Sequence, residues 1–368
     1  MSARIGSATA LVVAGGTGGH IFPGLAIAKE LIHAGWKVQW LGGKGEPGNP
    51  SMESRLVPGQ GIPFDAVNFS GVRGKGIVSF LRLPLSLIKA MAQCWSVFRR
   101  VKPDLVVGLG GYVTFPAGLL AALLRKPLVL HEQNSVVGMA NRHLARFASK
   151  IFTAFPEVMV KGEWTGNPLR ADFLNKPHPT LRFTGRDGPM RILVLGGSLG
   201  ATALNAVVPK ALALFQPASR PLVTHQSGQK QIAQLHANYV AAGVHANLTP
   251  FIDDVAQAMA DADLLVCRAG ASTVTELAAI GVAAIFVPFP AAVDDHQTVN
   301  ARYLADQGAA LLLQQAQLTP DSLAALLKSI SRADCLEMAM AAKRLQKIGA
   351  TERIAKACGE LVGLEQMQ

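Results

Sequence analysis

At 368 residues the chain is long for a single hydrophobic core, so two domains are expected; with half its residues hydrophobic and only 16% charged, a large core is available and extended disorder is not expected. Its four cysteines, Cys94, Cys267, Cys335 and Cys358, are scattered with no Cys-x-x-Cys pair. That spacing argues against a disulfide framework or a zinc site and suits a reducing compartment. The net charge of +11 is uneven: up to Thr165 there are 18 Lys and Arg against 8 Asp and Glu, and beyond it 17 against 16. A basic first half beside a near-neutral second half leaves anionic lipid, nucleic acid and a phosphorylated acceptor open as partners.

Met1 to Gly19 lacks the pattern of a secretory signal, because its apolar run is short and ends in glycines. Ala10 to Ala14 reads as a strand entering Gly15-Gly16-Thr17-Gly18-Gly19-His20, with a helix from Phe22 to Ala34 stopped by Gly35 and a strand at Val38 to Leu41. The turn is not the dinucleotide fingerprint, since Ile21 stands where the third glycine belongs, and it lacks the Lys-Ser/Thr of a P-loop. It can be a mere tight turn, but bare backbone followed by a titratable His20 suits a ligand site. Gly42 to Pro63 reads as loop-rich.

The stretch from Phe69 to Pro84 mixes Arg73, Lys75 and Arg82 with Ile77, Phe80 and Leu81. It is either a solvated loop entering a helix that runs to about Arg100, or a patch that inserts apolar side chains among anionic headgroups. Val106 to Leu124 has the length of a membrane span but is broken by Gly108, Gly110, Gly111, Pro116 and Gly118. It reads better as strand, glycine turn and a buried helix from Pro116 to Leu124. A strand at Leu128 to Leu130 then delivers His131-Glu132-Gln133-Asn134 to its carboxyl end, where open α/β sheets bind ligands. Lys150 to Ala154 reads as the last strand of the first half, and Asn175 to Pro189 as linker.

Arg191 to Leu195 with Gly196-Gly197-Ser198-Leu199-Gly200 restarts the motif that opens the chain, and Asp263-Leu-Leu-Val echoes Asp104-Leu-Val-Val. This internal similarity predicts two Rossmann-like units. Phe251 to Asp254 ends a strand and begins a helix. Strands at Leu264 to Val266 and Ala283 to Val287 flank Arg268-Ala-Gly270-Ala-Ser272-Thr273-Val-Thr-Glu276, a turn and helix that stop at Gly281. Ser272 or Thr273 is the predicted cap and Glu276 is predicted to lie in the first turn. Exposed N–H groups at a helix start, with Arg268 beside them, suit a phosphate, although a capping carboxylate in a tight turn accounts for the same residues. Asp261-x-Asp263 only precedes a strand and is a poor metal site. Beyond Thr319 the chain reads as helical, with a basic amphipathic helix at Leu336 to Lys347, a break at Gly349 and a last helix from Thr351.

Taken in order, Gly-Gly-Thr-Gly-Gly-His20, Gly-Gly-Tyr112-Val, His-Glu-Gln-Asn134, Thr-Gly-Asn-Pro-Leu-Arg170, Gly-Gly-Ser198-Leu-Gly-Ala and Arg268-Ala-Gly-Ala-Ser-Thr-Val-Thr-Glu276 resemble one family across nearly the whole chain. These are the inverting GT-B glycosyltransferases that add N-acetylglucosamine to the lipid-linked muramyl-pentapeptide of peptidoglycan synthesis. The resemblance implies an α/β fold of two doubly wound parallel-sheet domains facing across a cleft. Residues 1–166 would form the acceptor and membrane-facing domain, with the helix at 351–368 packing back on it, and 167–350 the UDP-sugar domain.

Donor contacts would come from Thr17, Gly18, Gly19, Asn134 and Arg170 in the first half. In the second they would come from Ser198, Ile252, Ala271, Ser272, Thr273, Val274, Thr275, Glu276 and Gln297, with Glu276 on the ribose. His296 stands where relatives often carry a second Gln, and Ser272 where they often carry an apolar residue. Acceptor contacts would fall on His20, Gly110, Gly111, Tyr112 and Glu132, and His20 is the candidate catalytic base, with acceptor binding as its other role.

The resemblance implies no obligatory cofactor or metal, with magnesium at most a stimulant. Its partners are UDP-N-acetylglucosamine, the lipid-linked acceptor, an anionic membrane surface and other cell-wall enzymes, with no nucleic acid. The place is the cytoplasmic face of the inner membrane, peripherally bound. A different GT-B lipid glycosyltransferase, a UDP-N-acetylglucosamine epimerase and a non-enzymatic membrane scaffold are the alternatives.

Overall fold

A computed structural model describes residues 7–46, 49–69, 83–197 and 200–364. The chain divides into two compact units, Met1–Arg170 with Ile348–Gln368, and Ala171–Lys347.

The first unit is built on strands β1 (Thr9–Val13), β2 (Lys37–Gly43), β5 (Phe64–Val67), β6 (Leu105–Gly108), β7 (Leu128–Glu132), β8 (Lys150–Thr153) and β9 (Glu163–Trp164); β3 (Gly45–Glu46) and β4 (Asn49–Pro50) form a separate antiparallel ribbon. The seven-stranded sheet is parallel, in the order β5-β2-β1-β6-β7-β8-β9. Its strands are short and almost wholly apolar because both faces are covered, as parallel crossovers require. Alternation along β1 shows the two faces. Ala10 and Val12 pack with Ile21, Ile27 and Leu31 of the helix Gly18–His33, whereas Leu11 and Val13 pack with Cys94 and Phe98 of the helix Leu83–Val101 and with Ala117 and Leu120 of the helix Thr114–Leu123.

The last helix, Ala350–Val362, lies on Gly18–His33 and buries Ile354, Ala357 and Cys358 in the first unit's core. An amphipathic stripe explains this: these three apolar residues recur at helical spacing, while Arg353 turns outward to pair with Glu163 through two bonds of 2.7 and 2.8 Å. Burying Ile354 alone contributes roughly 1.5–3 kcal/mol, so the C-terminal segment is held firmly although the second unit separates it from its partners in sequence.

The second unit repeats the plan with β10 (Arg191–Leu195), β11 (Leu222–Gln226), β12 (Asn247–Thr249), β13 (Leu264–Cys267), β14 (Ala283–Phe286) and β15 (Leu311–Leu312), all parallel, in the order β12-β11-β10-β13-β14-β15. In each sheet the strand order reverses beside the first strand, between β1 and β6 and between β10 and β13. Those reversal points are where doubly wound sheets open a crevice at the carboxyl ends of their strands.

Four local readings need correction. Gly42 to Pro63 is not simply loop, because Ser51 accepts a bond from the Ser54 N–H and caps the helix Met52–Leu56. Lys150 to Ala154 is not the last strand of the first half, since the two-residue β9 follows it. Strand β7 extends through His131 and Glu132, whose side chains are buried within the unit. Residues 175–189 are not a linker: the helix Pro179–Phe183 packs against the helix Arg332–Arg344, with Phe183 in the second unit's core. Asp263 is fully buried, and Arg186, Arg332 and the Arg191 N–H hold both of its oxygens, so it pins the start of β13.

Candidate functional site

The switch point of the first unit is made by two glycine turns pressed together. Gly111, at φ +80°, would place a Cβ 2.4 Å from the Gly15 carbonyl oxygen, so only glycine permits this approach. After Gly16, at φ +102°, Thr17 takes an extended conformation and opens the helix Gly18–His33 with no side-chain cap, which leaves the first N–H groups without an intrahelical partner. A buried Glu53 braces the turn by accepting bonds from the N–H groups of Gly43 (3.0 Å) and Gly16 (3.4 Å). Sequence reasoning missed Glu53, which sits on a short helix within a stretch read as loop.

His20 is half-buried, on the first turn of that helix. Its Nδ1 lies 2.8 Å from Gln133 Oε1, and Gly110 approaches so closely that a Cβ there would stand 3.1 Å from the imidazole Cε1. Gln133 in turn contacts His131, whose Nε2 is 3.0 Å from the carbonyl oxygen of Gly166. Burial pushes the His131 imidazole down to about 4, against the opposing pull of the Gly166 carbonyl and with a small further push from His20. His131 is therefore neutral.

The other expected residues of this unit are distributed unequally. Gly18 and Gly19 lie in the first turn of the helix with Thr17 exposed before it, and Tyr112 is exposed beside Gly110 and Gly111. Glu132 is buried and engages both carboxylate oxygens within its own loop, Oε1 with the Asn134 N–H and Oε2 with the Gly138 N–H and the Asn141 amide. It therefore shapes the loop that carries Asn134, and an acceptor contact would require that loop to open. The Arg170 guanidinium stacks 5.5 Å over the ring of Phe22, two residues beyond His20. The patch residues Arg73, Lys75, Ile77, Phe80, Leu81 and Arg82 lie outside the described residues, as does Ser198.

The second unit's switch point also brings two turns together. Gly200, at φ +80°, would drive a Cβ to 2.1 Å from the Ser227 carbonyl oxygen. The amide of Gln226 ties the Gly197 N–H and carbonyl to the Pro250 carbonyl, just before Ile252. Beside it, β13 ends at Cys267 and the helix Ala271–Ile280 begins. Its N-cap is Gly270, with no side-chain cap, so neither Ser272 nor Thr273 has the predicted role; the Ser272 hydroxyl is buried without a hydrogen bond and Thr275 bonds back to the carbonyls of Ala271 and Ser272. Glu276 is the sixth residue of the helix, in its second turn rather than its first. Gly281 closes the helix in the left-handed conformation, as its position predicts.

Arg268 is turned along β14, where Nη1 donates to the carbonyls of Val287 and Pro288 and the guanidinium lies 5.5 Å from the Phe289 ring. Burial lowers its proton affinity, and its charge is directed first at protein carbonyls. Gln297 accepts from the Phe289 N–H at 2.9 Å, while His296 Nδ1 contacts the Val293 carbonyl at 2.7 Å. Asn300, fully buried, donates to the Ala269 carbonyl and so braces the turn. Among the described residues no three His, Cys, Asp or Glu side chains are grouped as metal ligands.

Two Rossmann-like units, each ending its switch-point strands in glycine turns with uncapped helix starts, define the architecture of a sugar-nucleotide-dependent glycosyltransferase of GT-B type. The chain matches the glycosyltransferase family 28 N-terminal domain over residues 10–153 and the family 28 C-terminal domain over 191–356. It belongs to glycosyltransferase family 28. A protein of Albidiferax ferrireducens described as UDP-N-acetylglucosamine--N-acetylmuramyl-(pentapeptide) pyrophosphoryl-undecaprenol N-acetylglucosamine transferase is 61% identical over 361 residues, covering 98% of this chain and 93% of its own. A Polaromonas protein of the same description is 62% identical over 357 residues, covering 97% and 92%. The crystal structure of Acinetobacter baumannii MurG superposes with a TM-score of 0.82 at 39% identity over 96% of this chain and 99% of that one. A calicheamicin glycosyltransferase, CalG4, shares the fold at 16% identity and a TM-score of 0.69.

Proposed function

We propose that this chain transfers N-acetylglucosamine from UDP-N-acetylglucosamine to the 4-hydroxyl of the lipid-linked N-acetylmuramyl-pentapeptide, with inversion, in peptidoglycan synthesis. The observation that carries this is the near-complete match, at about three-fifths identity, to relatives described by that activity. The chemistry is a single displacement. The acceptor hydroxyl gives up its proton, its oxygen bonds to the anomeric carbon of the α-linked sugar, and the bond to the UDP oxygen breaks with its electron pair leaving on the diphosphate.

His20 is the base. An imidazole exchanges protons near neutral pH, and a positioned base of this kind supplies about 10²–10⁴ in rate. The uncapped helix start at Ala271 offers N–H groups to the diphosphate, where developing negative charge is stabilised. Glu276 takes the ribose hydroxyls and Gln297 the sugar. A UDP-release assay with and without the lipid-linked acceptor, in EDTA and then in magnesium, tests this. Release that requires acceptor supports the transferase; release without it would indicate an epimerase or a hydrolase.

Membrane attachment belongs to the same proposal. Leu85, Ile88 and Trp95 are exposed on one stripe of the helix Leu83–Val101, with Lys89 and Arg99 beside them, directly after the basic-apolar segment 73–82. Such a stripe fits the headgroup boundary of an anionic bilayer. Cosedimentation with phosphatidylglycerol vesicles should weaken with salt and with Ile88→Asp. Binding indifferent to both would leave the stripe without this role.

A further inference from the structure

The chain of contacts His20–Gln133–His131–Gly166 has an order that hydrogen-bond chemistry determines from its two ends. The Gly166 carbonyl can only accept, so His131 Nε2, 3.0 Å away, carries a proton. The side chain is wholly buried, and a neutral ring protonated at Nε2 presents a bare Nδ1. Gln133 Nε2 lies 3.0 Å from that Nδ1 and also 3.0 Å from the His131 carbonyl oxygen, a second obligate acceptor. These two acceptors take both hydrogens of the amide and fix its orientation without reference to His20. Gln133 Oε1 is thereby turned to His20 Nδ1 at 2.8 Å, where an oxygen can only accept.

From this geometry we infer that Gln133 and His131 are positioning residues that hold His20 as its Nδ1–H tautomer, with the lone pair on Nε2 as the basic site. Free imidazole side chains favour the opposite tautomer, so the relay selects the less common form. Deprotonating the acceptor hydroxyl then places the proton on Nε2 while Nδ1–H remains bonded to Gln133, which stabilises the imidazolium through a charge-assisted bond. All three side chains and Gly166 belong to the first unit. Gly110 completes the arrangement, because any Cβ there would press on the ring at Cε1 and stand 3.7 Å from Gln133 Oε1.

This inference deepens the assignment of His20 as base and rests on it for its catalytic meaning; the tautomer itself can be measured without turnover. In ¹⁵N-histidine-labelled full-length protein, with His20 assigned by its loss in His20→Gln, the Nδ1 resonance should be that of a protonated nitrogen and Nε2 that of a bare one. A wild-type His20 protonated at Nε2 would overturn the relay whether or not the protein is a transferase.

Gln133→Met, which keeps the length and removes the acceptor, should return His20 to the Nε2–H form. It should also lower kcat about tenfold, the worth of one net hydrogen bond, with the KM for UDP-N-acetylglucosamine unchanged. Retention of Nδ1–H in Gln133→Met, or a loss confined to KM, would also sink the inference. Because the first measurement uses the unaltered protein, misfolding of a variant cannot rescue it. An intact tautomer with no acceptor-dependent UDP release would instead count against the proposed reaction.

Discussion

The switch-point turns of the two units share a backbone plan and differ in what braces them. In the first, a buried carboxylate, Glu53, holds the Gly16 turn, and a histidine on the following helix is tied to two further side chains. In the second, neutral amides do the bracing, Gln226 at Gly197 and Asn300 at Ala269, and Arg268, which follows β13, is engaged with the Val287 and Pro288 carbonyls beyond β14. A carboxylate near a turn weakens its attraction for a phosphate, whereas the neutral Gln226 amide occupies the Gly197 N–H without adding charge and the helix start at Ala271 has no side-chain cap. Under the proposed reaction, the first unit supplies the base and the second the site for the diphosphate.

The largest expected effect is His20→Ala, with kcat down about 10²–10⁴-fold and donor KM little changed. Unchanged kcat with a raised KM would move His20 from base to binding group. Next come Gly111→Ala and Gly200→Ala, each forcing a Cβ into a carbonyl oxygen at a left-handed φ. Strain and overpacking together cost about 3 kcal/mol or more in each. The first should mainly depress kcat and the second mainly raise donor KM. Identical kinetic signatures would erase the division of labour.

Asn300→Ala leaves the buried Ala269 carbonyl without its donor, at about 2 kcal/mol. Thermal melts should show that loss together with a higher donor KM, and an unaltered KM would mean that the turn holds its shape without Asn300.

The smallest effect is one the two units share. His131 and His225 are buried neutral imidazoles, pushed by burial from 6.5 down to about 4 and about 3. Below pH 6.5 the unfolded chain takes up protons that the native state refuses, so stability rises with pH in this window and falls as pH drops from 6.5 toward 4. One unit below 6.5 the loss is about 1.4 kcal/mol for each imidazole. Urea midpoints compared at pH 7.5 and 5.5 check it, and a flat profile would mean that one or both rings accept a proton in place.

Much of the architecture was legible along the chain. Apolar runs of four or five residues entering glycine turns mark β1, β6, β10 and β13, and the echo of Asp104-Leu-Val-Val in Asp263-Leu-Leu-Val marks the repeated plan. Gly35 and Gly281 end their helices where the sequence places them, because a left-handed terminus needs the residue that lacks a Cβ. Helix starts were less legible. Ser272 and Thr273 have the chemistry of caps, yet Gly270 is the capping residue, since packing of β13 and β14 sets where the helix begins and leaves Ser272 inside it. His20 stood out as a titratable group after bare backbone.

Local features, that is strands, turns and the residues whose conformational freedom or charge is visible one at a time, are written along the chain. Tertiary structure alone decided what holds them. Glu53 reaches Gly16 across 37 residues, Asn300 reaches Ala269 across 31, and Gln133 reaches His20 across 113. None of these spacings has a periodic signature, because the partners come from different crossovers and meet only when parallel strands bring their carboxyl ends side by side. The proton state of a histidine is then set by a carbonyl on another loop, Gly166, that no local pattern connects to it.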